Sequence, residues 1–201
     1  LERMFAERQS SARPLAIRRR EWEAEARLNV LPREARFTRV DIDGMAGELM
    51  EMPGSWRDRA LLLLHGGGYN SGSPRTHRRL AADLSRATHM RVLTPEYRLA
   101  PEHPFPAAVR DALVSLGWLV KQGYPEDRII LAGDSAGGGL VLSTLLALRA
   151  AGGQMPRASV LLAPWTDLTC ASPSYGKLRK YDPIITRAGL LEAAAWYAGG
   201  R

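Results

Sequence analysis

With 201 residues, 45% of them hydrophobic, the chain is long enough for one domain with a substantial core and too short for two large ones. Its single cysteine, Cys170, excludes an internal disulfide framework and a cysteine-rich metal site. The formal charge of +7 marks no nucleic-acid track: three of the 28 basic residues are lysines, the arginines are spread along the chain, and Arg18-Arg19-Arg20 runs straight into Glu21, Glu23 and Glu25, which reads as a solvated helix face.

Residues 1–33 read as helical, punctuated by Pro14 and Pro32. The opening residues lack the apolar core of a signal peptide, and no apolar run is long enough to span a membrane, so a cytoplasmic protein without stable membrane insertion is expected. Residues 35–43 alternate through Phe37, Val40 and Ile42; Gly44 follows, and residues 45–52 complete a hairpin. Residues 60–64, Ala-Leu-Leu-Leu-Leu, carry no polar alternation and fit a central parallel strand covered on both faces.

A loop, His65-Gly66-Gly67-Gly68-Tyr69, leaves that strand. The pattern then predicts a helix at 76–87, a strand at 90–94, a proline-rich loop at 95–106 and a helix at 107–122 with Val109, Leu113, Leu116 and Val120 on its apolar stripe. A third buried strand at 128–132 turns at 133–137 into a helix at 138–151, and a fourth buried strand is expected at 159–162. Two further helices follow, broken at Asp182-Pro183. Strands alternating with helices after a hairpin make a doubly wound, mostly parallel α/β domain.

Gly133-Asp134-Ser135-Ala136-Gly137 fits the nucleophile elbow G-x-S-x-G, and it stands between a buried strand and a helix, as that mechanism requires. The turn is so tight that bulky residues on either side would collide. It lifts the Ser135 hydroxyl above the carboxyl ends of the strands and places it at a helix N-terminus. The triple glycine after the first central strand lets backbone N–H groups approach a carbonyl oxygen as it becomes an oxyanion. This loop lacks the Lys-Ser/Thr of a phosphate-binding loop and the spacing of a dinucleotide fingerprint. No metal and no cofactor are expected.

Three segments, in this order and spacing, resemble the hormone-sensitive-lipase-like esterases, or bacterial class IV lipolytic enzymes: residues 65–69, residues 97–108 (Tyr-Arg-Leu-Ala-Pro-Glu-His-Pro-Phe-Pro-Ala-Ala), and Gly133-Asp134-Ser135-Ala136-Gly137-Gly138. The resemblance extends to Pro164-Trp165-Thr166-Asp167-Leu168 and to the Asp182-Pro183-Ile184 stretch. It implies the α/β-hydrolase fold and hydrolysis of a small-molecule carboxylic ester through an acyl-enzyme. Ser135 matches the nucleophile, and Gly66, Gly67 and Ala136 match the oxyanion donors. Gly68 is assigned to loop shape, His65 to loop orientation, and the Tyr97–Glu102 segment to tying its loop to the core.

The resemblance also implies a cap made of residues 1–33 and 172–201 over a core at 34–171, and it leaves room for a homodimer of an intact parent. The acid and base of the triad are not in the chain. All four histidines (His65, His77, His89, His103) precede Ser135, and Asp167 and Asp182 would have no imidazole to orient. The reading is therefore an incomplete hydrolase core, its last strands absent and its activity weak alone. The alternatives are an amide or acetyl-ester deacetylase, a non-catalytic ligand-binding module on the same fold, or a basic adaptor for nucleic acid or membrane.

Overall fold

The structure is a computed structural model that describes residues 13–182 and 184–200. The helical reading of residues 1–12 and the break at Pro183 lie outside the described residues.

Helix α1 (Leu15–Ala26) starts just after Pro14, whose carbonyl accepts from Ile17 and Arg18. It buries none of its residues, so propensity and polar contacts rather than a greasy face hold it. Strands β1 (Arg36–Ile42) and β2 (Met45–Glu51) pair antiparallel about the two-residue turn Asp43-Gly44. Both turn residues take positive φ, 51° and 93°, and the Gly44 N–H donates to Asp41 Oδ1 at 2.7 Å.

Next come β3 (Ala60–Leu64), α2 (Arg78–Thr88), β4 (Arg91–Pro95), α3 (Ala107–Lys121), a short 3-10 turn (Glu126–Arg128), β5 (Ile129–Asp134), α4 (Ala136–Ala150) and β6 (Ala158–Leu162). A one-turn helix, α5 (Ser174–Lys177), and α6 (Arg187–Ala198) follow. The sheet order is β1-β2-β4-β3-β5-β6; β2 pairs antiparallel with β4, and β4, β3, β5 and β6 are mutually parallel.

Every residue of β3 is buried. The period of two sends Leu62 and Leu64 to one face, where Leu93, Leu131, Ala112, Leu116 and Leu140 join them under α3 and α4. Leu61 and Leu63 face the other way with Val92, Ala132, Ala81 and Ala82, under α2. A strand squeezed between two helical layers has no polar face to show, which is why the run reads as unbroken leucine.

Three expectations change. The last strand is not buried: β6 forms the sheet edge, and Val160 and Leu162 are 38% and 37% exposed. Its apolar letters suit a covered strand, but among the described residues only β5 pairs with it. The buried stripe on α3 is broader than expected: Val109 and Leu116 are buried and Leu113 and Val120 half-buried against the core, but Ala108, Ala112, Ser115 and Leu119 are buried beside them. The arginine run is not a solvated face either: Arg18 pairs with Glu192 of α6 at 3.2 Å and Arg19 with Glu102 at 2.7 Å, leaving only Arg20 exposed.

Candidate active site

The carboxyl ends of β3, β5 and β6 bring three loops together: residues 65–73, the elbow at 133–137, and the Pro164-Trp165 turn. Ser135 sits between the end of β5 and the first turn of α4 at φ 50°, ψ −120°. An L-residue holds such a backbone only where its surroundings over-determine it. Here Ser135 N–H donates to the Leu162 carbonyl at 2.9 Å, and the Ser135 carbonyl accepts from Trp165 N–H at 2.8 Å and Gly139 N–H at 3.2 Å. The two glycines that bracket the turn are packed backbone to backbone. A Cβ on Gly133 would lie 2.4 Å from the Gly137 carbonyl, and one on Gly137 would lie 2.0 Å from the Leu64 carbonyl oxygen.

The Ser135 side chain is half-buried, and among the described residues no group hydrogen-bonds its hydroxyl. None of the four histidines is its partner. His65 is buried and stacked on Tyr97 at 4.1 Å, with Nδ1 2.9 Å from the Gly66 carbonyl. The Tyr97 hydroxyl donates to the His65 carbonyl at 2.6 Å. His77 Nε2 lies 3.2 Å from Asp134 Oδ1. Asp167 is committed elsewhere: its carboxylate accepts from the Thr169 and Ala171 N–H groups in a surface turn. Asp182 does the same for Ile184 and Ile185.

The glycine loop differs from expectation at one position. Gly66 N–H, read as an oxyanion donor, is spent on Asp134 Oδ1 at 2.9 Å, with His77 Nε2 also 3.2 Å away. A donor buried against a carboxylate is not available to a substrate oxygen. Gly67 and Gly68, at φ 121° and 61°, lie past this anchor, and neither N–H has an acceptor among the described residues. The same holds for Ala136 N–H, in the first turn of α4.

The sequence marks Asp134 only as the variable letter of the elbow, and His77 only as one of the four histidines that precede Ser135. Together they join the elbow to the glycine loop. The partners of Asp134 stand 57 and 68 residues away in sequence, so no local pattern announces them. Burial opposes the charge of Asp134, but the His77 hydrogen bond and charge and the Gly66 N–H outweigh it and hold the carboxyl below its usual range.

Burial, with nearby His77, pulls the His65 imidazole down to about 3. The unfolded side chain protonates near 6.5, so in that window the unfolded state binds the extra proton. Stability is therefore full above about pH 6.5 and falls by a few kcal/mol as pH drops toward 3. Urea unfolding of wild type and His65→Gln between pH 7 and pH 3.5 should give a flatter pH dependence for the variant; equal slopes would rule out His65 as the source.

Among the described residues no group of three His, Cys, Asp or Glu side chains could hold a metal, and no helix is long and apolar enough to cross a membrane.

A family model described as the alpha/beta hydrolase fold matches residues 61–201. The chain is 45% identical over 142 residues to an acetyl-hydrolase of Streptomyces hygroscopicus, covering 71% of this chain and 48% of that protein. It is 35% identical over 147 residues to an esterase of Acinetobacter venetianus, covering 73% of this chain and 48% of that one. The chain thus spans about half the length of the curated relatives it matches. A crystal structure of an esterase from the bacterial hormone-sensitive lipase family superimposes with a TM-score of 0.93 at 40% identity, over 100% of this chain and 68% of that one.

Proposed function

Because this chain belongs to the α/β-hydrolase fold family, among the bacterial hormone-sensitive-lipase-like esterases, we propose that it carries the nucleophile and oxyanion site of a carboxylic ester hydrolase. The observation that carries this reading is the juxtaposition at the elbow. Among the described residues, a Ser135 hydroxyl without a partner on a strained turn shares the carboxyl ends of the strands with three N–H groups that have no acceptor, those of Gly67, Gly68 and Ala136.

In the proposed reaction Ser135 Oγ attacks the ester carbonyl carbon while a base takes the hydroxyl proton. The carbonyl oxygen becomes an oxyanion held by Gly67, Gly68 and Ala136. The C–O bond to the alcohol then breaks, and the alcohol leaves with that proton. Water, deprotonated by the same base, attacks the acyl-enzyme, releases the carboxylic acid and restores Ser135. Gly67 and Gly68 replace the pair Gly66 and Gly67, because Gly66 N–H already serves Asp134. His65 and the Asp134–His77 pair are assigned to holding the loop.

The base and its orienting acid are placed outside residues 1–201, since no histidine of this chain reaches Ser135 among the described residues. Residues 1–201 alone are expected to turn over esters weakly. Helices α1 and α6, joined by Arg18 and Glu192, are proposed as two parts of one cap. The names of two relatives, an acetyl-hydrolase and an ethyl acetate hydrolase of Pseudomonas putida, favour a short acyl group.

The test is a fluorophosphonate probe with the full-length protein, together with p-nitrophenyl esters from acetyl to octanoyl and an acetamide analogue. Stoichiometric labelling on the peptide containing Ser135, with the fastest turnover on acetyl and butyryl esters, is expected. Absence of both labelling and turnover would leave the binding-module reading. Faster cleavage of the amide than of its matched ester would mean a deacetylase.

A further inference from the structure

Helix α1 buries nothing in the core, yet one face of it is fastened to the loop that carries the proposed oxyanion donors. Arg19 Nε donates to the Asn70 carbonyl at 2.6 Å, and Arg19 Nη2 donates to the Ala100 carbonyl at 2.7 Å. The same guanidinium forks onto the Glu102 carboxylate at 2.7 Å and 2.8 Å. One helical turn further on, the Trp22 ring lies against Gly67: a Cβ built there would come 2.9 Å from Trp22 Cζ3. Glu23 accepts from the Ser73 hydroxyl. The i, i+3, i+4 spacing puts all three side chains on one face of α1.

The loop needs such an anchor. Gly67, Gly68 and Tyr69 take positive φ in succession, and a tyrosine at 59° is in a costly conformation. Asn70 N–H and Ser71 N–H both return to the Gly67 carbonyl, at 3.1 Å and 2.9 Å, closing a turn around the candidate donors. The far end of that turn is the Asn70 carbonyl, which Arg19 holds. The Ala100 carbonyl, its other backbone contact, belongs to the neighbouring loop, whose Ala100 N–H donates to the Tyr69 carbonyl at 2.9 Å.

We propose that Arg19 is a positioning residue: by bridging the Asn70 and Ala100 carbonyls it locks the 65–72 loop in the form in which Gly67 and Gly68 can meet a substrate oxyanion. Its catalytic consequence rests on the ester-hydrolase reading; the locking of the loop does not. A lysine cannot substitute, since a compact ammonium on a flexible stem does not reproduce the planar fork that reaches both carbonyls and Glu102.

The experiment is amide hydrogen exchange on the full-length protein, read at Asn70, Ser71 and Ala100, beside steady-state hydrolysis of p-nitrophenyl butyrate. Arg19→Ala is expected to speed exchange at those amides about tenfold or more while amides of β3 and β5 stay unchanged. It is also expected to lower kcat by roughly 10- to 100-fold with KM moving less than about twofold, as for a misplaced but intact site. Unchanged exchange at the three amides overturns the proposal, and so does faster exchange with an unchanged kcat. If Arg19→Ala speeds exchange throughout the sheet, Arg19→Lys decides: a local rise at Asn70 and Ser71 supports the lock, and none overturns it. Localised loosening in a wild-type background that shows no Ser135-dependent hydrolysis would sustain the lock and refute the ester-hydrolase reading instead.

Discussion

Replacing Ser135 with alanine in the full-length protein is expected to reduce p-nitrophenyl acetate and butyrate hydrolysis to the residual left by binding and oxyanion stabilisation, about 10³- to 10⁴-fold over the reaction in water. The hydroxyl is the atom that would form the acyl bond, and no other described nucleophile stands on the elbow. Stability should barely change. Among the described residues Ser135 Oγ has no hydrogen-bond partner to lose, and alanine at φ 50° carries the same backbone strain as serine. The expected signature is therefore a collapse of kcat with an unfolding midpoint within about 0.5 kcal/mol of wild type. Turnover that survives Ser135→Ala at its original rate would remove Ser135 from the mechanism, whatever the probe labelling showed.

The largest stability effect is expected at Gly137→Ala. Its new Cβ would stand 2.0 Å from the Leu64 carbonyl oxygen and 2.7 Å from that of His65. Both are backbone atoms at the end of β3, whose ladder with β5 runs as far as Leu64 opposite Gly133. Neither can swing aside like a side-chain tip, so the strand and the elbow must part. The cost should reach about 4 kcal/mol or more, in the rare tail of single substitutions, and Ser135 would be displaced with it. Gly117→Ala is the matched control: it lies within α3 with nothing inside 4 Å of the added Cβ, so it should stabilise the helix by about 0.5–1 kcal/mol. Urea unfolding of both variants measures the contrast. If Gly137→Ala unfolds at the wild-type midpoint, the close approach of elbow and β3 is wrong.

Helix and strand order, the hairpin turn at Asp43-Gly44 and the central leucine strand were legible because each is written in neighbouring letters. Period-two burial, positive-φ turn residues and glycines flanking a serine are local demands, and they leave local traces. The elbow was legible for the same reason, and so was the family: its motifs are contiguous. Some features were not legible. Gly66 and Gly67 look alike in a run of three glycines, and the carboxylate of Asp134, 68 residues away, separates the N–H that is occupied from the one that has no acceptor among the described residues. An arginine run next to glutamates is what a solvated helix also looks like. Whether Arg18 and Arg19 meet Glu21 and Glu23 or Glu192 and Glu102 depends on which surfaces the fold brings opposite α1.

What the sequence by itself determined is the chemistry that steric necessity forces into adjacent positions: a serine on a glycine-bracketed strand-to-helix turn, a glycine loop after a buried strand, and no histidine after the serine. What only the tertiary structure decided is which atoms of those motifs remain unspent. Hydrogen-bond capacity is consumed by whatever packs alongside, and here Asp134 consumes the Gly66 N–H while Arg19 holds the Asn70 carbonyl beyond it. Those neighbours come from a strand and a helix dozens of residues away, so only their packing shows that, among the described residues, the N–H groups of Gly67, Gly68 and Ala136 are left without an acceptor near Ser135.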